Sequence, residues 1–318
     1  MKSILVIVPT SEEHRRWLRE AVADKSDTYE LVFADSEAEI PAELIRNASA
    51  ILGSLPASRI GEAEKLEWLQ LNSAGADPYS RPGFLPDETL LTCAVGAYNV
   101  SVSEHMLALT MDLVRGFRYY AVNQGKHIWE QGPDLFAVDG SVIAVLGMGN
   151  IGSAYAQKVK ALGAYVIGVT RSAHEKPDYA DEMVTVDALE SVLPRADIVA
   201  MIMPGSDETC HMMNEQRLRI MKPGSYILNA GRGNAIDLEA LKKVLDEGHI
   251  AGAALDVTEP EPLPEDDPLW DYTNVIITPH VAGGFQLNLR QSKDGVLKIF
   301  ADNLKNWVNG KELMNIVR

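Results

Sequence analysis

Six residues able to do chemistry stand beside the ends of short apolar runs in the second half of the 318-residue chain. Gly147 follows VIAVL, Arg171 comes just after YVIGV, Pro204 follows DIVAMIM, Arg232 comes just after YILNA, Asp256 lies near the end of GAALDV, and His280 follows VIITP. If the runs are strands of one parallel sheet, all six fall at carboxyl ends. Open α/β sheets bind their ligands there, so the six line one edge. An arginine at that edge offers a planar, permanently charged fork for a carboxylate. A histidine next to a carboxylate, here Glu259 or Glu261 of TEPEP, favours the imidazolium and keeps a proton ready near neutral pH. A cation for the substrate, a proton donor and a fixed orientation are what hydride transfer to a ketone needs besides a nicotinamide. Plainer readings stand beside these: a surface ion pair for Arg232, a solvated loop acid for Glu261, a structural or solvated ring for a single histidine. His14, His105, His127, His174, His211 and His249 lie mostly in polar or helical surroundings and receive no role.

The glycines form the pattern GMGNIG at residues 147–152, ending a strand-like run and opening the helix-like SAYAQKVKALG. In that context Gly147 permits a tight turn, Gly149 lets the backbone approach a pyrophosphate, and Gly152 allows close helix packing. The alternative is an ordinary glycine-rich turn. The fingerprint calls for an acid about 20 residues on, to hold the ribose of NAD. Residues 166–172, VIGVTRS, place Thr170, Arg171 and Ser172 there instead. Without the acid a 2′-phosphate is not repelled; Arg171 supplies a matching cation and Ser172 a neutral donor. NADP is therefore expected as the preferred cofactor and NAD as the lesser one, against the alternative that Arg171 is merely solvated.

Holding these groups takes two α/β units, because apolar runs alternate with amphipathic segments along nearly the whole chain. ILVIV, ELVFA, AILG, WLQLN and LLTC read as strands of a first, smaller series. VIAVLG, YVIGV, EMVTV, DIVAMIM, YILNA, GAALDV and VIITPH form a second, long enough for a doubly wound dinucleotide-binding sheet. Between them one long helix is expected from Ser101 to about Tyr120. Ser101 and Glu104 would form its capping box, and Val102, Met106, Leu109, Leu113 and Phe117 recur at helical spacing. After Gly283 and Gly284 a last helix carries Leu289, Leu297, Phe300 and Leu304 on one side and stops at Asn309 and Gly310. If it packs back on the first series, the chain crosses twice between domains, near residues 98–101 and 283–286, a natural hinge over a cleft. The expected fold is α/β. A doubly wound Rossmann-type dinucleotide-binding domain spans residues 100–284, and a smaller flavodoxin-like α/β substrate domain takes 1–99 and 285–318.

Composition narrows the class further. Hydrophobic residues make up 46% and charged residues 23%, as in ordinary soluble domains. With 29 basic against 45 acidic residues the formal charge is −16, which repels nucleic acid and anionic membrane on average. SILVIVPT is too short for a signal core or a membrane span. Cys93 and Cys210 stand far apart with no metal-ligand spacing around them, so a reducing cytoplasm and no structural metal are expected.

With these residues assembled, the chain resembles the D-isomer-specific 2-hydroxyacid dehydrogenase family along almost its whole length. Residues 147–152 match the family's GxGxxG; 221–233, MKPGSYILNAGRG, resemble the segment around its catalytic arginine, here Arg232. ALDVTEPEPLP, 254–264, resembles the DVFxxEP signature. It implies Asp256 as the acid that orients the nicotinamide and Glu261, not Glu259, as partner of the acid/base His280 in NVIITPHVAG. LNSAGAD, 71–77, resembles the loop whose amides, here around Ala74 and Gly75, hold the substrate carboxylate. The resemblance further implies cofactor contacts at Gly147, Gly149, Asn150, Ile151, Gly152, Thr170, Arg171, Ser172, Met203, Pro204, Thr209, Ala230, Gly231, Arg232, Asp256 and His280. Thr258 departs from the family's aromatic, loosening local packing without removing a catalytic group, and Thr170 and Arg171 depart from its acid. The implied activity is reduction of small 2-keto acids to D-2-hydroxy acids by NAD(P)H, or the reverse. In the family the helix over residues 101–120 takes part in a two-fold dimer, so a homodimer is implied; the apolar run toward Trp129 fits that and equally fits ordinary core. Residues 53–59, GSLPASR, with Tyr98 and Phe285, are expected to line part of the substrate pocket. Two rivals share the fold: a nucleotide-sensing corepressor without catalysis, and a reductase-like enzyme of formate or phosphite.

Overall fold

Both faces of the first strand are apolar, and the structure shows why. In β1 (Lys2–Val6), Ile4 and Val6 join a buried cluster with Leu18, Val296, Leu297 and Phe300, whereas Leu5 packs with Ile45, Ile51, Leu69 and Leu91 on the other side. Side chains alternate across a strand, so a strand with helices on both faces must be apolar throughout. The computed structural model describes residues 1–34, 40–284 and 287–318; Phe285 and Gln286, at the expected second crossing and pocket wall, lie outside the described residues.

The chain divides into two compact units, Met1–Tyr98 with Gln286–Arg318, and Asn99–Phe285. In the first, β1 is followed by α1 (Glu12–Val22), β2 (Tyr29–Phe33), α2 (Ala42–Asn47), β3 (Ala48–Leu52), β4 (Trp68–Gln70) and β5 (Leu90–Thr92). The strands are parallel in the order β2-β1-β3-β4-β5, a doubly wound arrangement. The chain's final residues pair antiparallel with β5, Val317 donating to the Leu91 carbonyl at 2.8 Å, which covers that edge.

The second unit begins with α3 (Asn99–Arg115) and α4 (Phe117–Gly125) and continues through β6 (Val142–Leu146), α5 (Asn150–Ala161), β7 (Tyr165–Thr170), β8 (Glu182–Thr185), α6 (Leu189–Val192) and β9 (Ile198–Met201). It then runs through α7 (Glu215–Ile220), β10 (Tyr226–Asn229), α8 (Leu238–Asp246), β11 (Gly252–Leu255) and β12 (Val275–Ile277), after which α9 (Arg290–Val308) completes the first unit. Its seven strands are all parallel, in the order β12-β11-β10-β9-β6-β7-β8. All seven carboxyl ends therefore share one edge, and the strand order reverses between β6 and β9, the place where such sheets bind dinucleotides. No helix among the described residues is long and apolar enough to cross a membrane.

Three local expectations are corrected. The helix expected from Ser101 begins at Asn99, so Ser101 lies buried inside it and not at its N-cap. Nor does that helix run unbroken to Tyr120. Gly116 adopts a left-handed φ of 65°, α3 stops there, and Phe117 beyond it is exposed, off the stripe of Val102, Met106, Leu109 and Leu113. Leu289 precedes α9 and is exposed, so the buried stripe of that helix is Leu297, Phe300 and Leu304 without it.

Candidate active site

At the exit of β6 the chain turns so tightly that two glycines are obligatory. Gly147 has φ +99°, and a Cβ on Gly152, in the first turn of α5, would sit 1.9 Å from the Gly147 carbonyl oxygen. Gly149 is the N-cap of α5 with open space where its Cβ would be, and Asn150 and Ile151 start the helix. A helix N-terminus presents amides without intrahelical partners to a phosphate. Beside this turn lies a cavity of about 830 Å³, its walls including Gly147, Thr170, Met203, Pro204 and Thr209, with Arg171 at its margin. Arg171 is 85% exposed, 3.9 Å from the Glu208 carboxylate; the Thr170 hydroxyl donates to the Ser172 carbonyl at 2.7 Å. Ser172 is further engaged with His174. Glu208 and the half-buried Arg217 also border the cavity and were not singled out in the sequence.

The arginine turn is built by a buried side chain that sequence reasoning passed over. Asn229 ends β10, donates to the Arg232 carbonyl at 2.8 Å and accepts from the Gly231 amide at 3.0 Å, while Ala230 bonds to Met201 of β9. A Cβ on Gly231 would stand 2.6 Å from the Met203 carbonyl, and one on Gly233 only 1.9 Å from the Thr258 carbonyl. The turn is therefore pressed against both the β9 exit and the segment that follows β11. Arg232 is half-buried, one guanidinium nitrogen donating to the Gly231 carbonyl at 2.8 Å.

Beyond β11, Glu261 accepts a 2.7 Å hydrogen bond from His280 Nδ1. The carboxylate fixes Nδ1 as a protonated nitrogen, and among the described residues none is bonded to Nε2. Glu259 makes no such contact with His280. Thr258 does not loosen this region: it is buried and donates to the Pro260 carbonyl at 2.8 Å. His280 itself has a left-handed φ of 53°. Asp256 stands where the sequence places it, but its carboxylate is only 1% exposed and already accepts from Thr278 Oγ1 at 2.6 Å, Val281 N at 2.9 Å and Ala282 N at 3.1 Å. It folds the His280 segment around itself. His105, given no role from the sequence, reaches this knot from α3, with Nε2 3.1 Å from Thr278 Oγ1. The signal was present: position 105 falls on the apolar stripe between Val102 and Leu109, an unusual place for an imidazole.

In the first unit, Ala74 and Gly75 lie in the half-buried loop after β4, and among the described residues none accepts a hydrogen bond from either amide. The loop is held by Ser73 Oγ donating to the Gly75 carbonyl at 2.6 Å, by Asn72 accepting from the Ser54 amide at 3.0 Å, and by the Tyr98 hydroxyl on the Asn72 carbonyl. Burial pushes the Tyr98 phenol up to about 12.

The comparisons with known proteins agree in kind. A family model for the D-isomer specific 2-hydroxyacid dehydrogenase NAD binding domain matches residues 107–282. The chain is 31% identical over 284 residues to glyoxylate/hydroxypyruvate reductase B of Enterobacter sp. (strain 638), covering 87% of this chain and 86% of that protein. It is 34% identical over 214 residues to glyoxylate reductase of Korarchaeum cryptofilum (strain OPF8), 67% of this chain and 63% of that protein. A solved D-isomer specific 2-hydroxyacid dehydrogenase family protein from Aeromonas salmonicida subsp. salmonicida A449 matches with a TM-score of 0.84 at 29% identity, over 100% of this chain and 99% of that one.

Proposed function

Because the chain belongs to the D-isomer-specific 2-hydroxyacid dehydrogenase family, we propose a cofactor preference and residue roles for it as an NAD(P)-dependent oxidoreductase of 2-keto and 2-hydroxy acids. It interconverts small 2-keto acids and D-2-hydroxy acids. The observation that carries this is the 2.7 Å pair of Glu261 and His280 at the carboxyl edge of the sheet that also bears the glycine turn and Arg232. A nicotinamide, when bound, supplies the hydride. Arg232 clamps the substrate carboxylate. His280, its ring fixed by Glu261, delivers a proton from Nε2 to the developing alkoxide. Asp256 serves by shaping the segment that carries His280, not by presenting its carboxylate.

The cofactor is held by Gly147, Gly149, Asn150, Ile151 and Gly152 at the turn and by Met203, Pro204, Thr209, Ala230 and Gly231 along the strand ends. NADPH is preferred, because no acid terminates β7 and Arg171 stands free to turn from Glu208 to a 2′-phosphate, with Ser172 beside it. The decisive experiment follows the consumption of NADPH and of NADH with glyoxylate, hydroxypyruvate and pyruvate. Arg171→Ala should raise KM for NADPH about 10- to 150-fold, the worth of one charge-assisted hydrogen bond, and leave NADH nearly unchanged. Wild-type use of NADH at least equal to NADPH overturns the cofactor reading; no turnover with any keto acid overturns the reaction. The homodimer is supported by exposed Phe117, Ile128 and Trp129 near the end of α3 and beyond it, and a monomer mass of 34.8 kDa by light scattering would refute it. Two free thiols, Cys93 and Cys210, fit a reducing cytoplasm.

A further inference from the structure

The left-handed backbone of His280 is a sparsely populated conformation, held only where the surroundings over-determine it. Here much of the holding is done by one buried residue, Asp256, through both its carbonyl and its carboxylate. The His280 amide donates to the Asp256 carbonyl at 2.8 Å, the next two amides close on the Asp256 side chain, and the Thr278 hydroxyl donates to Oδ1 at 2.6 Å. A hydroxyl has one proton, and that of Thr278 goes to the carboxylate. Its oxygen is then the acceptor for His105, whose Nε2 lies 3.1 Å from it and 3.5 Å from Asp256 Oδ1. His105 is thus the donor that ties the knot to a rigid element. Its helix, α3, is itself pinned to α5 by the buried 2.7 Å bond between the Thr110 and Tyr155 hydroxyls.

We infer that His105 is a positioning residue for the acid/base: through Thr278 and Asp256 it fixes the turn that aims the His280 ring, while touching neither substrate nor cofactor. The inference rests on the reading of His280 as the proton donor. It predicts a loss in kcat rather than in cofactor binding, since among the described residues no hydrogen bond joins His105, Thr278 or Asp256 to the glycine turn at the β6 exit. Displacing a catalytic group by about 1 Å costs on the order of 10²-fold, so removing the donor should cost about 10- to 100-fold.

The test is a double-mutant cycle on the full chain, with NADPH and glyoxylate as the probes. His105→Phe should lower kcat about 10- to 100-fold with NADPH affinity, read by fluorescence, within about threefold of wild type. His105→Gln, which restores an N–H donor, should recover most of that loss. In a His280→Ala background, itself about 10²- to 10⁴-fold slower, His105→Phe should change kcat less than about twofold, because nothing remains to be aimed. An unchanged kcat in His105→Phe, an equal loss in His105→Gln, or a full additional loss in the His280→Ala background overturns the inference. Wild-type kcat in His280→Ala alone would instead remove the acid assignment on which it rests. Should His105→Phe not fold, Thr278→Val breaks the same relay with the side-chain shape kept, and the same outcomes apply.

Discussion

Gly233→Ala puts one methyl group between the arginine turn and the segment bearing Glu261. The new Cβ would lie 1.9 Å from the Thr258 carbonyl oxygen, 2.1 Å from its carbon and 2.8 Å from the Glu259 nitrogen, all backbone atoms. Ordinary contact begins at 3.4 Å, so one segment must retreat by about 1.5 Å. Neither side yields easily. Arg232 is held by Asn229, and Thr258 is buried with its hydroxyl on Pro260. Overpacking of this kind costs about 1–3 kcal/mol, which for a unit of this size lowers Tm by roughly 2 to 12 °C. Because Glu261 is three residues from the collision, its bond to His280 shifts by a similar distance, and kcat should fall on the order of 10²-fold. Calorimetry and steady-state kinetics with NADPH and glyoxylate read the two effects separately. Gly125→Ala, in α4 with nothing within 4 Å of the added carbon, is the control and should leave kcat alone while holding or slightly raising Tm. If Gly233→Ala keeps kcat within twofold and an unchanged Tm, the contact between these segments does not govern the site.

Further outcomes follow from the same geometry. Glu261→Gln should lower kcat about 10- to 150-fold by weakening the bond to His280 Nδ1, and Glu259→Gln should stay within about twofold; the opposite ranking would exchange the two glutamates' roles. Stability should fall as pH rises from about 10 to 12, because the half-buried Tyr98 and buried Tyr155 phenols are raised and the folded chain keeps protons that the unfolded chain releases. Below pH 10 that contribution is fully present. Urea unfolding at pH 9 and 11 should show a loss of up to about 1.4 kcal/mol per pH unit for each tyrosine, and Tyr98→Phe should flatten the slope; an identical slope in that variant refutes its share.

The second sheet was legible because each strand is a local signal: VIAVL, YIL and GAAL are buried on both faces or nearly so and are therefore apolar without interruption. The edge residues inherited that clarity, since a strand's end fixes where Gly147, Arg232, Asp256 and His280 must fall. Pairings across the chain were not legible from periodicity. His280 and Glu261 are 19 residues apart, and only the resemblance of whole segments chose Glu261 over Glu259 as the partner; His105 and Thr278 are 173 apart, and nothing local to either announces the other. The burial of Asp256 escaped for the same reason, because the amides that close over it belong to another strand's loop. The misplaced start of α3 is a contest between two local signals. A serine followed three residues later by a glutamate reads as a cap, yet Ser101 is buried within a helix that starts at Asn99.

The cover that α9 lays over β1 also fixes an order of events during synthesis. Ile4, Val6 and Leu18 are made first, but Val296, Leu297, Phe300 and Leu304, which close their cluster, come almost 280 residues after Leu18. The whole of the second unit is made in between. At about 5–20 residues per second, that face of the first sheet waits roughly 14 to 60 s for its covering helix, while the second unit has all its strands in hand. On the ribosome this earlier-made face is therefore covered only after every strand of the second unit has been made.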